Sequence, residues 1–289
     1  MELIDAQIHP MLHGKAFAGL SGEALIDLSA DMAIASMDAV GVTGAALSWR
    51  DLAMMEGYIA RYPGRFVGYA TSISVALDGT MRTVITHDDS PEEYVERVSK
   101  MPGIVGIRMG LPYGRVIDAY REGVHEPYYV AAEKRDFPIF VTLHHHQKEY
   151  EQTIRAHPDL RFIIDHVGLP TPPNAADGSR LAGGPHNFTE LEDVLALARY
   201  PNVAIKFTAV PSLSAEPYPF SDVWPPMRRM IDTFGIDRMM WGSDFTRCVG
   251  LHSYRESVDF LLLTDQLSQE EKTALASGSF RKWVGWPDS

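Results

Sequence analysis

Leu3-Ile4-Asp5-Ala6-Gln7-Ile8-His9 is an apolar run broken at alternate positions by Asp5, Gln7 and His9. Side chains along a strand alternate faces, so this spacing predicts Asp5, Gln7 and His9 on one side and Ile8 on the other. The same unit recurs downstream, a short β-branched run followed by a stretch of helical periodicity. Strands are predicted over 3–9, 43–48, 66–74, 105–109, 139–143, 161–166, 203–207 and 238–242. Helical spacing covers 23–40, 51–62, 91–101, 127–134, 147–157, 189–199, 224–234 and 253–263. Strands alternating with helices imply parallel βαβ units, and eight of them imply a closed (β/α)8 TIM barrel. An open doubly wound sheet is the alternative. It is disfavoured because no Gly-x-Gly-x-x-Gly follows the first strand and the polar residues lie at many strand ends rather than at one switch point.

The 289 residues suit a single barrel domain spanning 1–289, since such barrels take about 250 residues. Apolar residues make up 45% of the chain, the share of an ordinary globular protein, and no apolar run is long enough to cross a bilayer. The start, Met1-Glu2-Leu3-Ile4-Asp5, lacks the basic region and cleavage site of a signal peptide, and Cys248 is the single cysteine. Both features predict a cytoplasmic protein without a disulfide framework. A formal charge of −12 argues against nucleic-acid and anionic-membrane partners, while a small acidic substrate stays open because a pocket can carry local arginines. Association with further copies also stays open.

Two connections are long. Residues 169–187, after the sixth strand, are rich in proline and glycine. Residues 211–226, after the seventh, hold five prolines interleaved with Tyr218, Phe220 and Trp224. Long loops leaving strand ends of a barrel are expected to cover or bind a ligand.

Chemistry in such a barrel sits at the strand C-termini. There the sequence places His9 on the first strand and Arg108 in the fourth. His144-His145-His146 follow the fifth, Asp165-His166 end the sixth, Lys206 lies in the seventh and Asp244 follows the eighth. Each has a plain structural explanation taken alone. Together they bring candidate acid/base, anion-binding and metal-binding groups to one mouth.

Asp5-Ala6-Gln7-Ile8-His9, Asp165-His166-Val167-Gly168, Val203-Ala204-Ile205-Lys206 and Trp241-Gly242-Ser243-Asp244-Phe245 resemble strand-end motifs of the amidohydrolase superfamily. They are most similar to its amidohydrolase-related branch, which contains dicarboxylate lactonases, sugar lactonases and non-oxidative decarboxylases. The resemblance implies that Asp244 is the general acid/base, with His166 and His9 beside it as catalytic groups. One of His144–His146, by first choice His144, matches the fifth-strand ligand of metal-using members. His9, His144 and Asp244 would then hold one divalent metal, zinc or manganese, if a metal binds. Gln7 stands where the first histidine of a His-x-His pair is expected, and a carboxamide oxygen is a poor zinc donor. The expectation is therefore no metal or one weakly held metal. A second departure is Thr246-Arg247 after Asp244-Phe245.

Lactone hydrolysis follows as the expected reaction, with Asp244 activating water and His9, His166 and Gln7 stabilising the oxyanion. Gln7, Arg108, His144 and Arg247 would contact the substrate. Arg108 suits a carboxylate because its planar fork gives two-point recognition, with Arg115 or Arg247 assisting. Lys206 is read first as neutralising a carboxylate within the barrel. The alternative reaction is metal-dependent decarboxylation of an aromatic or unsaturated acid. A barrel that binds a ligand without catalysis is a third reading. His13 and His252 lie near mouth-facing loops, and Ser90-Pro91-Glu92-Glu93 reads as a capped helix start rather than a metal site.

Overall fold

The computed structural model describes residues 1–12, 20, 22–75, 83–110, 116–169, 185–248 and 250–286. Among these residues nine strands form one sheet: β1 (Ile4–Ile8), β2 (Gly44–Trp49), β3 (Phe66–Val75), β4 (Thr83–Ile85), β5 (Ile104–Gly110), β6 (Ile139–Thr142), β7 (Phe162–Ile164), β8 (Val203–Thr208) and β9 (Met239–Gly242). Eight run parallel in the order β1-β2-β3-β5-β6-β7-β8-β9, and β4 returns antiparallel along β3. With helices between successive strands, this is a nearly closed (β/α)8 barrel.

Closure is made where β1 meets β9. The Asp244 N–H donates to the Gln7 carbonyl at 3.0 Å, and the Ser243 N–H donates to the Asp5 carboxylate at 2.8 Å. Gly242 permits the approach. A Cβ there would lie 2.8 Å from Thr208 Oγ1 and 3.1 Å from the Gln7 nitrogen.

Inside the barrel, Ile4, Ala6, Ala46, Val67, Tyr69, Val105, Phe140, Ile163, Ala204 and Met240 form one apolar cluster. Phe280, Trp283, Val284 and Trp286, from and just beyond the helix Ser279–Val284, complete it. Trp286 reaches the start of β2, where a Cβ on Gly44 would meet its ring at 2.9 Å, so these aromatics plug the N-terminal end of the barrel. Burying each such large apolar side chain is worth roughly 1.5–3 kcal/mol. Two residues further along the strands from Val67, Phe140, Ile163 and Ala204 come Tyr69, Thr142, Asp165 and Lys206. Period-two alternation thus turns the apolar floor into a polar upper layer.

The strands predicted from sequence coincide with β1–β3 and β5–β9 within a few residues. The capped start at Ser90 is present as a capping box, with Ser90 N donating to Glu93 Oε2 at 3.1 Å. β4, the helix Val116–Arg121 and the C-terminal helices were not anticipated. The predicted helix over 189–199 is a short α-helix, Leu191–Leu195, that tightens into the 3₁₀ turn Ala196–Arg199. Strict alternation in the first strand also fails. The register between β1 and β2 shifts between Asp5 and Ile8, so Asp5 reaches across to Ser243 while Gln7 turns to Tyr69 and Lys206.

Of the two long connections, the first lies mostly outside the described residues. In the second, Phe220 and Trp224 are buried, Trp224 stacking on Phe260 at 4.6 Å and near Phe207 at 6.2 Å. These two rings pack the outer core rather than a lid. Among the described residues no helix is long and apolar enough to cross a membrane.

Candidate active site

A chain of buried charges fills the upper barrel layer. Lys206, fully buried on β8, lies 2.9 Å from Asp165 Oδ1 and donates to Tyr69 Oη at 2.7 Å. Its third contact is the Gln7 side-chain oxygen. Arg108 on β5 binds the other Asp165 oxygen through Nε at 2.7 Å and reaches Thr142 Oγ1 at 3.3 Å. Burial pushes the Asp165 carboxyl up, but Lys206 and Arg108 outweigh it and hold Asp165 ionised, well below the usual carboxylate range. Burial lowers Lys206 to about 8 against the pull of Asp165. One carboxylate therefore answers two cations, and removing one partner of such a buried pair typically costs about 3–5 kcal/mol.

Above this layer lie His9, His144, His166 and Asp244, none more than 7% exposed. His9 Nε2 is 3.2 Å from Asp244 Oδ1, within ion-pair range but off line for a hydrogen bond. The His9 N–H donates to Thr246 Oγ1 at 2.9 Å, and Trp49 presents its edge to the His9 ring at 6.2 Å between centroids. Burial lowers His9 more than Asp244 raises it, so the imidazole is neutral at pH 7. Burial raises Asp244, yet His9, His166 and Arg247 together bring it well below its ordinary value. His9 Nδ1 and Nε2, His166 Nδ1 and Asp244 Oδ1 are all shielded from solvent, with no hydrogen bond among the described residues. Buried polar atoms left open in this way cost about 1–3 kcal/mol each, a penalty that a bound ligand would relieve.

Strained backbone sets these side chains. His166, Val167 and Gly168 take φ of 54°, 51° and 68° in succession, and Asp244 takes 50°. Left-handed conformation in residues other than glycine costs about 1–2 kcal/mol each and concentrates at functional sites. The turn stops β7 at Ile164 and brings His166 over the barrel, 6.1 Å between ring centroids from His144.

The histidine triplet divides. His144 is buried beside His166, His145 is exposed and paired with Glu190, and His146 sits 3.5 Å from Glu149. Arg247 is exposed at the rim, and its charge acts on both His9 and Asp244. His252 is buried against Phe220. Arg115 and His13 fall outside the described residues. Sequence reading gave no role to Tyr69 or Thr142, although both sit two positions beyond an inward apolar residue, the signal that would have found them.

The family profile described as amidohydrolase matches residues 4–285. The chain belongs to the amidohydrolase family. Solved structures share its fold at low identity. A Burkholderia multivorans amidohydrolase crystallised with bound zinc superposes with a TM-score of 0.70 at 17% identity, covering 99% of this chain and 100% of that one. A candidate 2-pyrone-4,6-dicarboxylic acid hydrolase from Pseudomonas putida gives 0.67 at 17% identity, covering 100% and 99%. The 5-carboxyvanillate decarboxylase of Sphingomonas paucimobilis gives 0.58 at 14% identity, covering 98% and 99%. No curated protein sequence matches the chain at a significant level.

Relatives with metal raise the question of whether this amidohydrolase has the donors for one. His9 Nε2 and Asp244 Oδ1, 3.2 Å apart, are spaced as two ligands of a single ion would be. Catalytic zinc takes three protein ligands. Among the described residues no group of three His, Cys, Asp or Glu converges closely enough to supply them. Gln7 cannot make up the set. Its oxygen already accepts from Lys206 and Tyr69, which leaves only the amide NH2 facing the mouth side, toward His166. An NH2 group is no metal ligand. The Lys206 ammonium beneath it also repels a dication, since unit charges about 4 Å apart interact by about 4 kcal/mol at an effective dielectric of about 20. Among the described residues the donor set does not fit a firmly held divalent ion.

Proposed function

We propose that this amidohydrolase opens the lactone ring of a small, carboxylated substrate with its own side chains, Asp244 acting as general base toward water. The observation that supports this most directly is the state of Asp244. It is ionised and nearly buried, and its Oδ1, 3.2 Å from His9 Nε2, makes no well-aligned hydrogen bond among the described residues. A carboxylate so placed can take a proton from a water held in the site with the substrate, and general-base catalysis supplies about 10²–10⁴-fold in rate.

His9, neutral, lies against the carboxylate with its Nε2 3.2 Å from Oδ1. As water attacks the lactone carbonyl, its proton passes to Asp244, and the oxyanion is met by a ring N–H of His166. Ring opening then returns the proton to the departing alkoxide. Arg108 keeps 16% of its side chain exposed while its Nε holds Asp165, so the free edge of its guanidinium is offered to a substrate carboxylate. Arg247 supplies a second positive charge at the rim, and His144 forms the adjoining wall.

The test offers the purified protein a panel of dicarboxylate and sugar lactones, following acid release. Hydroxybenzoate-type acids are offered in parallel, following carbon dioxide. Lactones should be consumed, and Asp244→Asn should lower kcat by about 10²–10⁴-fold while a product analogue still binds. Carbon dioxide release with the lactones left intact would establish the decarboxylase reaction instead. Binding without turnover of either panel would leave a ligand-binding barrel.

A further inference from the structure

The contacts beneath His166 form a one-way series of donors. Lys206 can only donate, because an ammonium has no lone pair. The Gln7 atom facing it, which also accepts from Tyr69 Oη at 3.2 Å, must therefore be the amide oxygen. That fixes the other Gln7 atom as the NH2 group, and it lies 3.5 Å from His166 Nε2. An amide nitrogen cannot accept, so a proton on Nε2 would set two donors against each other. The arrangement is satisfied only when Nε2 presents its lone pair.

We propose that Lys206 and Gln7 are positioning residues that fix the His166 tautomer, placing its single proton on Nδ1 and making Nδ1–H the hydrogen-bond donor the site offers to a substrate oxygen. Three observations converge on it. His166 Nδ1 is buried and has no hydrogen bond among the described residues, as expected of a donor kept for a ligand. Burial, opposed by Asp244 and Asp165, brings His166 down to about 4, so at neutral pH the ring carries one proton rather than two and the tautomer is a real choice. The direction of the series is itself anchored, because Asp165 and Tyr69 hold Lys206 in place from below. Ammonium binding at the Gln7 oxygen also polarises the amide and strengthens its N–H as a donor toward His166. Fixing a tautomer through the hydrogen bond at the other ring nitrogen is a general device for histidines that act on substrates.

The role of Nδ1–H as an oxyanion donor rests on the lactone reading, whereas the position of the proton does not. The experiment is therefore ¹⁵N–¹H long-range correlation NMR of the histidine rings at pH 7 on the full chain without substrate. His166 is assigned by loss of its signals in His166→Gln. Wild-type protein should show His166 with a pyrrole-type Nδ1 and a pyridine-type Nε2. Gln7→Glu, nearly isosteric and still bonded to Lys206, replaces the NH2 with a carboxylate oxygen, so the proton should move to Nε2 or a second proton should appear there. Lys206→Met frees the Gln7 amide to turn and should give a mixture of both tautomers. If Lys206→Met fails to fold, Gln7→Glu alone decides. A wild-type proton on Nε2, or a Gln7→Glu spectrum unchanged at His166, would overturn the proposal. Neither result depends on turnover, so the substrate assignment and the tautomer assignment stand or fall separately.

Discussion

Lys206 is the residue on which the interior of the site turns, and its charge is conditional. Burial brings it from its ordinary 10.5 to about 8, so the folded protein loses this proton well before an exposed lysine would. Below pH 8 the ammonium holds the Gln7 oxygen and Asp165; above it, the amine no longer neutralises the ionised Asp165, and Gln7 is free to turn. The expected outcome is a fall in kcat/KM above about pH 8 with a slope of one proton. Lys206→Arg, whose guanidinium keeps its charge, should lose that limb even where its overall rate is lower. A limb that persists unchanged in the arginine variant belongs to another group. The residues at the mouth were legible in the sequence because each is polar and lies within two residues of the end of an apolar strand, as His9, His144, His166 and Asp244 do. That Lys206 neutralises a carboxylate was legible, but not that the carboxylate is Asp165 or that Arg108 shares it. Asp165 follows β7 and Lys206 lies on its paired strand β8, and Arg108 reaches Asp165 from β5 across β6, so the contacts follow from strand register rather than from any local motif. Gln7 was recognised as a poor metal ligand, but the ammonium that occupies its oxygen belongs to the same hidden set.

Among the elements, the contact between β1 and β9 has the least main-chain support and the most functional consequence. Ser243 sits between Asp5, which it binds through both its N–H and its hydroxyl, and Asp244, which follows directly in sequence. Gly242 sets the spacing of that contact. Gly242→Ala would press a methyl against Thr208 Oγ1 at 2.8 Å and the Gln7 nitrogen at 3.1 Å, both on neighbouring strands that cannot yield independently. Overpacking of this kind costs roughly 1–3 kcal/mol. The variant should melt several degrees lower and lose activity beyond its loss of stability, because Gln7 and Asp244 are displaced together. Gly278→Ala is the control: it lies within a helical run, its Cβ would meet only the Thr273 carbonyl at 3.7 Å, and stability should be unchanged or rise by up to about 1 kcal/mol. The eight barrel strands were legible because strands covered on both faces read as dense β-branched runs. β4 was not, since it is three residues long, half-exposed and paired only along β3. The irregularity in β1 was equally silent, because a register shift leaves no mark in an alternating pattern.

At the scale of the whole molecule, the burial of ionisable rings sets the response to acid. Burial, slightly opposed by the Ala119 backbone, takes His125 from its ordinary 6.5 to about 4, and His166 is brought equally low. Between those values the unfolded chain holds a proton that the folded chain refuses. Stability therefore falls as pH drops from 6.5 toward 4 and levels off below, by on the order of 3 kcal/mol for each ring. Asp5 acts in the opposite sense. Burial raises it from 3.8 to about 6, so the folded state takes that proton first and gains stability as pH falls through 6, again by on the order of 3 kcal/mol. Two histidines against one aspartate leave a net loss of on the order of 3 kcal/mol, and the lowered His9, His144 and His252 add to it. Melting temperature measured by calorimetry should accordingly decline steadily from pH 6.5 to 4.5. His125 isolates the effect, because it lies among Tyr120 and Tyr129 on the outer side of the barrel, away from Asp244. His125→Phe keeps the ring volume and removes the titration, so its melting temperature should fall less steeply over the same range, with kcat at pH 7 unaltered. An identical slope in the two proteins would mean that the acid response comes from the site histidines alone.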